Sequence, residues 1–243
     1  MIGVQLYKAS GNTCDRDRIV SIIVPIFNEE ASITRLLDQL VQVKDRCEVI
    51  FVDGGSTDAT RSLIPSSWTV LESPCGRGRQ LNAGYEASTG DVLFFLHCDS
   101  ILPPGFLDQI CEVMDLCDMG FFGVRFDSPD WVMGICGRQS NRRARYRHIP
   151  FGDQGIFIKR DLFERLGCFP EIPIMEDYQF SLSARKAGVR MGQTKDVIVT
   201  SARRYGTGFF HQLWVMYFMH KLRWLHRKGI PEEQILAMYQ EMR

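Results

Sequence analysis

The sequence has no charge surplus: 29 Lys and Arg stand against 29 Asp and Glu in 243 residues. Holding nucleic acid by bulk attraction takes a basic excess, so no nucleic-acid partner is expected. Its eight cysteines include no C-x-x-C pair, and its five histidines show neither H-E-x-x-H nor zinc-finger spacing. That argues against a disulfide scaffold or a structural zinc. Cys14, Cys47, Cys75, Cys98, Cys111, Cys117, Cys136 and Cys168 read instead as small hydrophobes in a reducing cytoplasm. No run approaches the roughly 18 apolar residues of a spanning helix, and residues 1–18 read as a tail without the apolar stretch of a secretion signal. A cytoplasmic chain is expected, at most peripheral to the inner face of a membrane. There is no G-K-S/T for a P-loop. After Gly76 and Gly78, the third glycine of a dinucleotide fingerprint is Leu81, so ATPase and dehydrogenase readings have no support.

What is present is a hydrophobic fraction of 45%, enough for a sizeable core, arranged in alternating short runs. Residues 19–27 are nearly continuous and β-branched, as a strand buried on both faces requires. Asn28 offers an N-cap, Glu29 and Glu30 suit a first turn, and Ile33, Leu36, Leu37, Leu40 and Val41 recur at helical spacing. Cys47 to Val52 is a second strand, which makes a βαβ unit with a parallel pair. The alternation continues with a helix over 57–63, a strand over 68–71, a helix over 79–87 and a strand over 92–96. A helix over 103–116 and a strand over 121–126 follow. Residues 155–201 read as two short strands flanking helices over 161–166 and 177–187, and the last forty residues as helical, broken at Gly229 and Pro231. This is an α/β pattern with a mostly parallel sheet.

Polar residues cluster where these strands end, the place where open parallel sheets bind ligands. Asp53 closes one strand, and Gly54 and Gly55 after it allow a ligand close to the backbone; a simple N-cap box is the plainer reading. His97 and Asp99 flank Cys98, and strand alternation turns both to one side, a geometry suited to a hard divalent ion that also takes substrate phosphates. Gly76-Arg77-Gly78-Arg79-Gln80 joins flexible backbone to two guanidinium forks before a helix, which suits a phosphate. Residues 138–147 carry five arginines in ten positions. They read as a solvated helix face, with an anionic acceptor or another chain as alternatives. Residues 209–228 combine aromatics and Met with Lys221, Arg223, His226, Arg227 and Lys228, so ordinary packing competes with contact to a membrane face or partner.

The ordered runs Ser21–Glu30, Val52–Thr60, Gly76–Gly84 and Leu96–Ser100 resemble the family 2 glycosyltransferases of GT-A fold. Phe151–Phe157, Met175–Asp177 and Thr200–Arg204 resemble the subgroup called radical-SAM/selenodomain-associated transferase 2, or arsenosugar-biosynthesis-type glycosyltransferases. The resemblance spans roughly residues 19–240. It implies a single domain over 19–243 after the tail, with a Rossmann-like nucleotide-sugar half over 19–126, an acceptor and catalytic half over 127–204, and C-terminal helices over 205–243.

The resemblance also implies roles. Pro25, Asn28, Glu29 and Asp53 fall where the family holds the nucleoside, with Gly54 beside them. Asp99 matches the last position of the metal-binding D-x-D, with Mg²⁺ or Mn²⁺ as cofactor, although His97 replaces the first Asp. Glu176-Asp177 matches the acidic motif whose Asp is the base, although by itself Asp177 could be a helix N-cap. Arg77, Arg79 and Arg203 are candidates for the departing diphosphate, with Arg203 or Arg204 turned away. Asp153 and Gln154 are candidates for a sugar or acceptor contact, or a plain turn pair. The implied reaction is inverting sugar transfer from a nucleotide-diphospho-sugar to a small-molecule acceptor hydroxyl. A nucleotidyltransferase fits poorly, because 25–30 contains no glycine. The non-enzymatic alternative is an inactive module that recruits a partner or membrane through its arginines and aromatic helix.

Overall fold

A computed structural model describes residues 19–206 and 208–241; the expected tail and Cys14 lie outside these. The apolar runs become strands β1 (Val20–Ile26), β2 (Cys47–Asp53), β3 (Thr69–Glu72), β4 (Val92–Phe95), β5 (Met119–Asp127), β6 (Ile156–Lys159) and β7 (Met191–Ser201). They form one sheet in the order β3-β2-β1-β4-β6-β5-β7. The pairs β1–β2, β2–β3, β1–β4 and β5–β7 are parallel, and β6 alone runs against its neighbours β4 and β5. Six strands therefore end at one edge of the sheet, and β6 begins there.

Alternation along the strands divides the core into two layers. Ile22, Val24, Phe51 and Phe94 pack on one face with Leu36 and Leu40 of α1 (Ile33–Leu40) and with Ile110 and Met114 of α3 (Phe106–Met114). On the other face Ile23, Val52, Leu93 and Phe95 meet Leu81 of α2 (Arg77–Ala87), Phe163 of α5 (Arg160–Arg165) and Phe180 of α6 (Glu176–Lys186). The helix α4 (Trp131–Arg147) presents its small residues Gly137, Ser140 and Ala144 inward, and a Cβ on Gly137 would lie 3.2 Å from the Val124 carbonyl of β5. A third cluster joins α7 (Phe209–Arg227) and α8 (Glu232–Glu241) to α6 through Tyr178, Leu222 and Ile235.

Several expected elements differ. Asn28 is not an N-cap: it has a φ of 54°, and α1 begins only at Ile33, so Glu29 and Glu30 precede the helix. Residues 57–63 make turns and no helix. Side chains of the neighbouring loop and of Asp58 accept from the first backbone donors of this segment, Thr57 N to Asn28 Oδ1, Ala59 N to Glu30 Oε2 and Thr60 N to Asp58 Oδ1, and so tie it to the loop after β1 as a series of turns. The helix expected over 103–116 starts at Phe106, after Gly105 in a left-handed conformation. β7 is long, with eleven residues, and pairs with β5 across a register shift. The first half of α4 buries Val132, Met133 and Cys136, a short apolar stretch interrupted by Gly134 and Gly137 that carries little helical signal in the sequence. The seven described cysteines are free thiols, four of them buried.

Close packing at Gly84 gives a test of the sheet-to-helix contact. A Cβ there would lie 2.4 Å from Ile23 Cγ2 and 3.0 Å from Val52 Cγ2. Gly84→Ala should therefore destabilise the domain by about 1–3 kcal/mol, because overpacking outweighs the gain of roughly 1 kcal/mol in helix propensity. Urea unfolding of the two proteins measures the difference.

Candidate active site

At the sheet edge where the parallel strands end lies a cleft of about 2000 Å³. The loop after β1 brings Pro25, Asn28 and Glu29 to it, the start of α2 brings Arg77, and the turn after β4 brings His97 and Asp99. Asp153, Glu176, Asp177 and Arg203 enter the same cleft from the other half of the chain, and Arg203 and Arg204 both line it. Four expected residues are not in its lining. Asp53 is 2% exposed at the end of β2, and its Oδ1 accepts from the Ser56 N–H at 3.0 Å and the Ser56 hydroxyl at 2.6 Å. Gly54 packs against the Gln80 side chain, whose Nε2 donates to the Ile26 and Val52 carbonyls and fastens the ends of β1 and β2. Arg79 pairs with Glu171. Gln154 is fully buried.

On the β4 side, carboxylates and guanidiniums are interleaved. Arg203 Nη2 donates to Glu29 Oε1 and lies 4.0 Å from Asp99 Oδ2, while Thr200 Oγ1 stands 3.4 Å from Asp99 Oδ1. Burial pushes the Asp99 carboxyl above its usual range, and Arg203 partly offsets this. Glu29 Oε2 is buried with no hydrogen-bond partner among the described residues. Arg77 Nη1 pairs with Glu176 Oε1 at 3.1 Å; burial raises the Glu176 carboxyl, and Arg77 opposes it. The His97 ring is held well below its ordinary pKa by burial and then by Arg77, Arg204 and Arg203, so it is neutral at physiological pH. β4 ends at Phe95, so His97, Cys98 and Asp99 sit in the turn after it and not on an alternating strand: all three reach the cleft, and Cys98 is also packed in the core.

Asp177 is in the first turn of α6, which Met175 caps. Its Oδ2 accepts from the Gly152 N–H at 2.7 Å. Gly152 sits tightly here, since a Cβ would come within 2.6 Å of His97 Nε2, so the turn over 152–154, the end of β4 and the start of α6 are locked together. Gln154 fixes that turn from beneath: its Oε1 accepts from Arg143 Nη2 at 3.0 Å and from the Phe151 N–H at 3.3 Å. Asp153 faces the cleft with a buried Oδ1 that lacks a partner, and burial raises its carboxyl.

Among the described residues no group of three His, Cys, Asp or Glu could hold a metal ion by protein alone. The lone Asp99 carboxylate, kept from water beside the unpartnered Glu29 Oε2, fits a cation that takes the rest of its ligands from substrate phosphates and water. Sequence reasoning places none of the lining residues Tyr205, His220, Arg223 and Tyr239 in the cleft, and reads Arg223 only as part of a membrane or partner face. Their signal was weak. His220 and Arg223 share a face of α7 at i, i+3, a spacing that core packing also produces.

The model of the family described as Glycosyl transferase family 2 matches residues 21–169. The chain belongs to this family. An undecaprenyl-phosphate 4-deoxy-4-formamido-L-arabinose transferase of Aeromonas hydrophila is 31% identical over 183 residues, 65% of this chain and 55% of that protein. An uncharacterized glycosyltransferase of Nostoc sp. is 30% identical over 109 residues, 41% of this chain and 34% of that one. The chain thus spans between a third and just over half the length of these two curated relatives. Among solved structures, glucosyl-3-phosphoglycerate synthase from Mycobacterium tuberculosis, in complex with Mn²⁺, UDP and glucosyl-3-phosphoglycerate, superposes with a TM-score of 0.66 at 20% identity, covering 93% of this chain and 87% of that one. The mannosyltransferase PcManGT from Pyrobaculum calidifontis, in complex with GDP-Man and Mn²⁺, gives 0.58 at 20% identity, covering 95% and 73%. The glycosyltransferase domain therefore has the GT-A fold.

The raised Asp153 carboxyl makes stability depend on pH with a definite sign. A carboxyl raised in the folded state costs nothing below the unfolded value of about 3.9 and destabilises as pH rises through the folded value. Asp153→Asn should thus be more stable than the parent at pH 7, with the gain fading near pH 4, as measured by urea unfolding at both pH values.

Proposed function

We propose that the glycosyltransferase domain moves a sugar from a nucleotide-diphospho-sugar to an acceptor hydroxyl in one inverting, cation-assisted displacement. The observation that carries this reading is the meeting of Asp99, Arg77, Arg203 and Asp177 in one cleft. Displacing a nucleoside diphosphate builds negative charge on the leaving oxygen, while the acceptor hydroxyl must lose a proton. A divalent cation, Mg²⁺ or Mn²⁺, would supply positive charge to the diphosphate at Asp99. Arg77 and Arg203 orient that diphosphate and add their own charge. Neutral His97 contributes a ring nitrogen and no charge. Asp177, its Oδ2 already set by the Gly152 N–H, takes the acceptor proton, and Glu176 holds Arg77 in place. Pro25, Asn28 and Glu29 recognise the nucleoside, Asp53 serves from beneath by holding Ser56, whose hydroxyl oxygen accepts from the Asn28 N–H, and Gln154 serves by fixing the turn that aims Asp177.

On this reading residues 19–126 form the nucleotide-sugar half, 127–204 the acceptor half and 205–243 the C-terminal cover, and the chain falls in the radical-SAM-associated subgroup. Asp177→Asn should lower kcat by roughly 10²- to 10⁴-fold while retaining donor binding. Asp99→Asn should remove the response to Mn²⁺. Thermal shifts and hydrolysis assays with UDP- and GDP-sugars test both; the reading is overturned if no nucleotide-sugar binds and neither substitution has an effect.

A peripheral membrane location is favoured by one surface. Phe210, Trp214, Tyr217 and Trp224 of α7 are exposed, and exposed Trp131 stacks on Phe209 with ring centroids 5.5 Å apart. Lys221, Arg227 and Lys228 lie on the same helix or at its end. No described helix is long and apolar enough to cross a membrane, so contact would be from the side. Flotation with phosphatidylglycerol vesicles should carry the protein upward and fail for the double substitution Phe210→Ser, Trp214→Ser; parent protein left at the bottom would refute the contact.

A further inference from the structure

The arginines of the cleft fall into two sets. Those on the donor side have carboxylate partners: Arg77 pairs with Glu176, and Arg203 with Glu29 and Asp99. Arg142, Arg143, Arg145, Arg147, Arg204 and Arg223 also line the cleft, without an ion pair to any described residue, and of these Arg143 and Arg223 converge on the Phe151 ring while Arg204 follows Arg203. Arg143 is anchored by neutral groups, donating from Nε to the Ile149 carbonyl at 3.0 Å and from Nη2 to Gln154. Its guanidinium lies 3.4 Å from the centre of the Phe151 ring, and that of Arg223 lies 5.4 Å from the same centre. Arg204 reaches over Tyr239 at 6.0 Å. The carboxylates facing this set are Asp153, Asp177 and, toward Arg204, Asp99, none within ion-pair distance of it, and Asp177 is held by the Gly152 N–H beside Phe151.

Holding the part-buried guanidiniums of Arg143 and Arg223 near each other, with the exposed Arg204 on the same cleft and no opposite charge in contact, costs desolvation and mutual repulsion that neutral hydrogen bonds and ring contacts only partly offset. Burial accordingly pulls Arg143 down to about 10 and also lowers Arg223. Such a wall is completed by an anion. Arg forks suit the oxygens of a phosphate or carboxylate, and the Phe151 face keeps two of them aligned.

Resting on the glycosyltransferase reading, we propose that Arg143, Arg204 and Arg223 form an acceptor subsite for a phosphate monoester, either on a small soluble alcohol or at the head of a lipid. The anion is then bound by the arginines while the acceptor oxygen faces the anomeric carbon near Asp177. The oxygen–carbon bond forms as the bond to the diphosphate breaks. A hydroxyl nucleophile gives its proton to Asp177, whereas an ionised phosphate oxygen has none to give.

The test measures binding of glycerol 3-phosphate, of polyprenyl monophosphate in detergent, and of glycerol and polyprenol as neutral controls, with UDP and Mn²⁺ present. At least one phosphate should bind, weaken with salt, and not compete with UDP, while the neutral controls do not bind. Arg223→Gln, at a side chain that makes no hydrogen bond to a described residue, and Arg204→Gln should each weaken it at least tenfold and change UDP affinity less than twofold. Binding of glycerol 3-phosphate alone identifies a soluble acceptor, and binding of the polyprenyl phosphate alone a lipid one. The subsite is overturned if neutral and phosphorylated probes behave alike, if UDP displaces the phosphate, or if both substitutions leave its affinity unchanged. Failure of UDP itself to bind would count against the donor reading and leaves the anion measurement readable.

Discussion

The constraint on which this structure depends is the cost of collecting carboxylates in a cleft partly closed to water. Each buried ion loses hydration worth several kcal/mol, recovered only by a well-placed opposite charge or by hydrogen bonds. Two devices meet that cost on the donor side: Arg203 between Glu29 and Asp99, and Arg77 against Glu176. Without them the carboxylates at the strand ends would repel one another and take up protons. The same pairs leave Asp99 slightly short of compensation, as its raised carboxyl indicates, so an added positive charge is favoured there.

The second support is geometric. β6 enters the sheet against its neighbours, and its start therefore falls at the edge where the parallel strands end. The turn before it carries Gly152 to His97 on one side and to Asp177 on the other. Gln154 and Arg143 hold that turn from within. Displacing any member shifts the carboxylate at the start of α6, so these residues position a group they do not touch in the chemistry.

Much of the fold was legible in the sequence. Continuous apolar runs marked β1, β2 and β4, and helical spacing marked α1. Where local reading failed, the reason was competition from side chains or small residues. Asn28 and Glu30, far away in sequence, and Asp58 within the segment hold the backbone of 57–60 in turns where a helix over 57–63 was expected. In α4 the contact with β5 is made by Met133 and Cys136 against Phe126, by Gly137 against the Val124 carbonyl and by Asn141 hydrogen-bonded to Val124, a mixed set that leaves no continuous apolar stripe. The arginines of 138–147, expected on a solvated face, divide: Arg138, Arg142 and Arg147 are exposed, while Arg143 turns inward.

By itself the sequence determined the α/β alternation, the places where strands end, and the polar residues at those ends, because hydrophobic periodicity and turn chemistry act over a few residues. Tertiary structure alone decided the reversed β6 and which charges are paired. Glu29 and Arg203 are 174 positions apart, and Arg77 and Glu176 are 99 apart. No local spacing encodes contacts of that range; they exist only once the sheet has brought distant strand ends to a common edge.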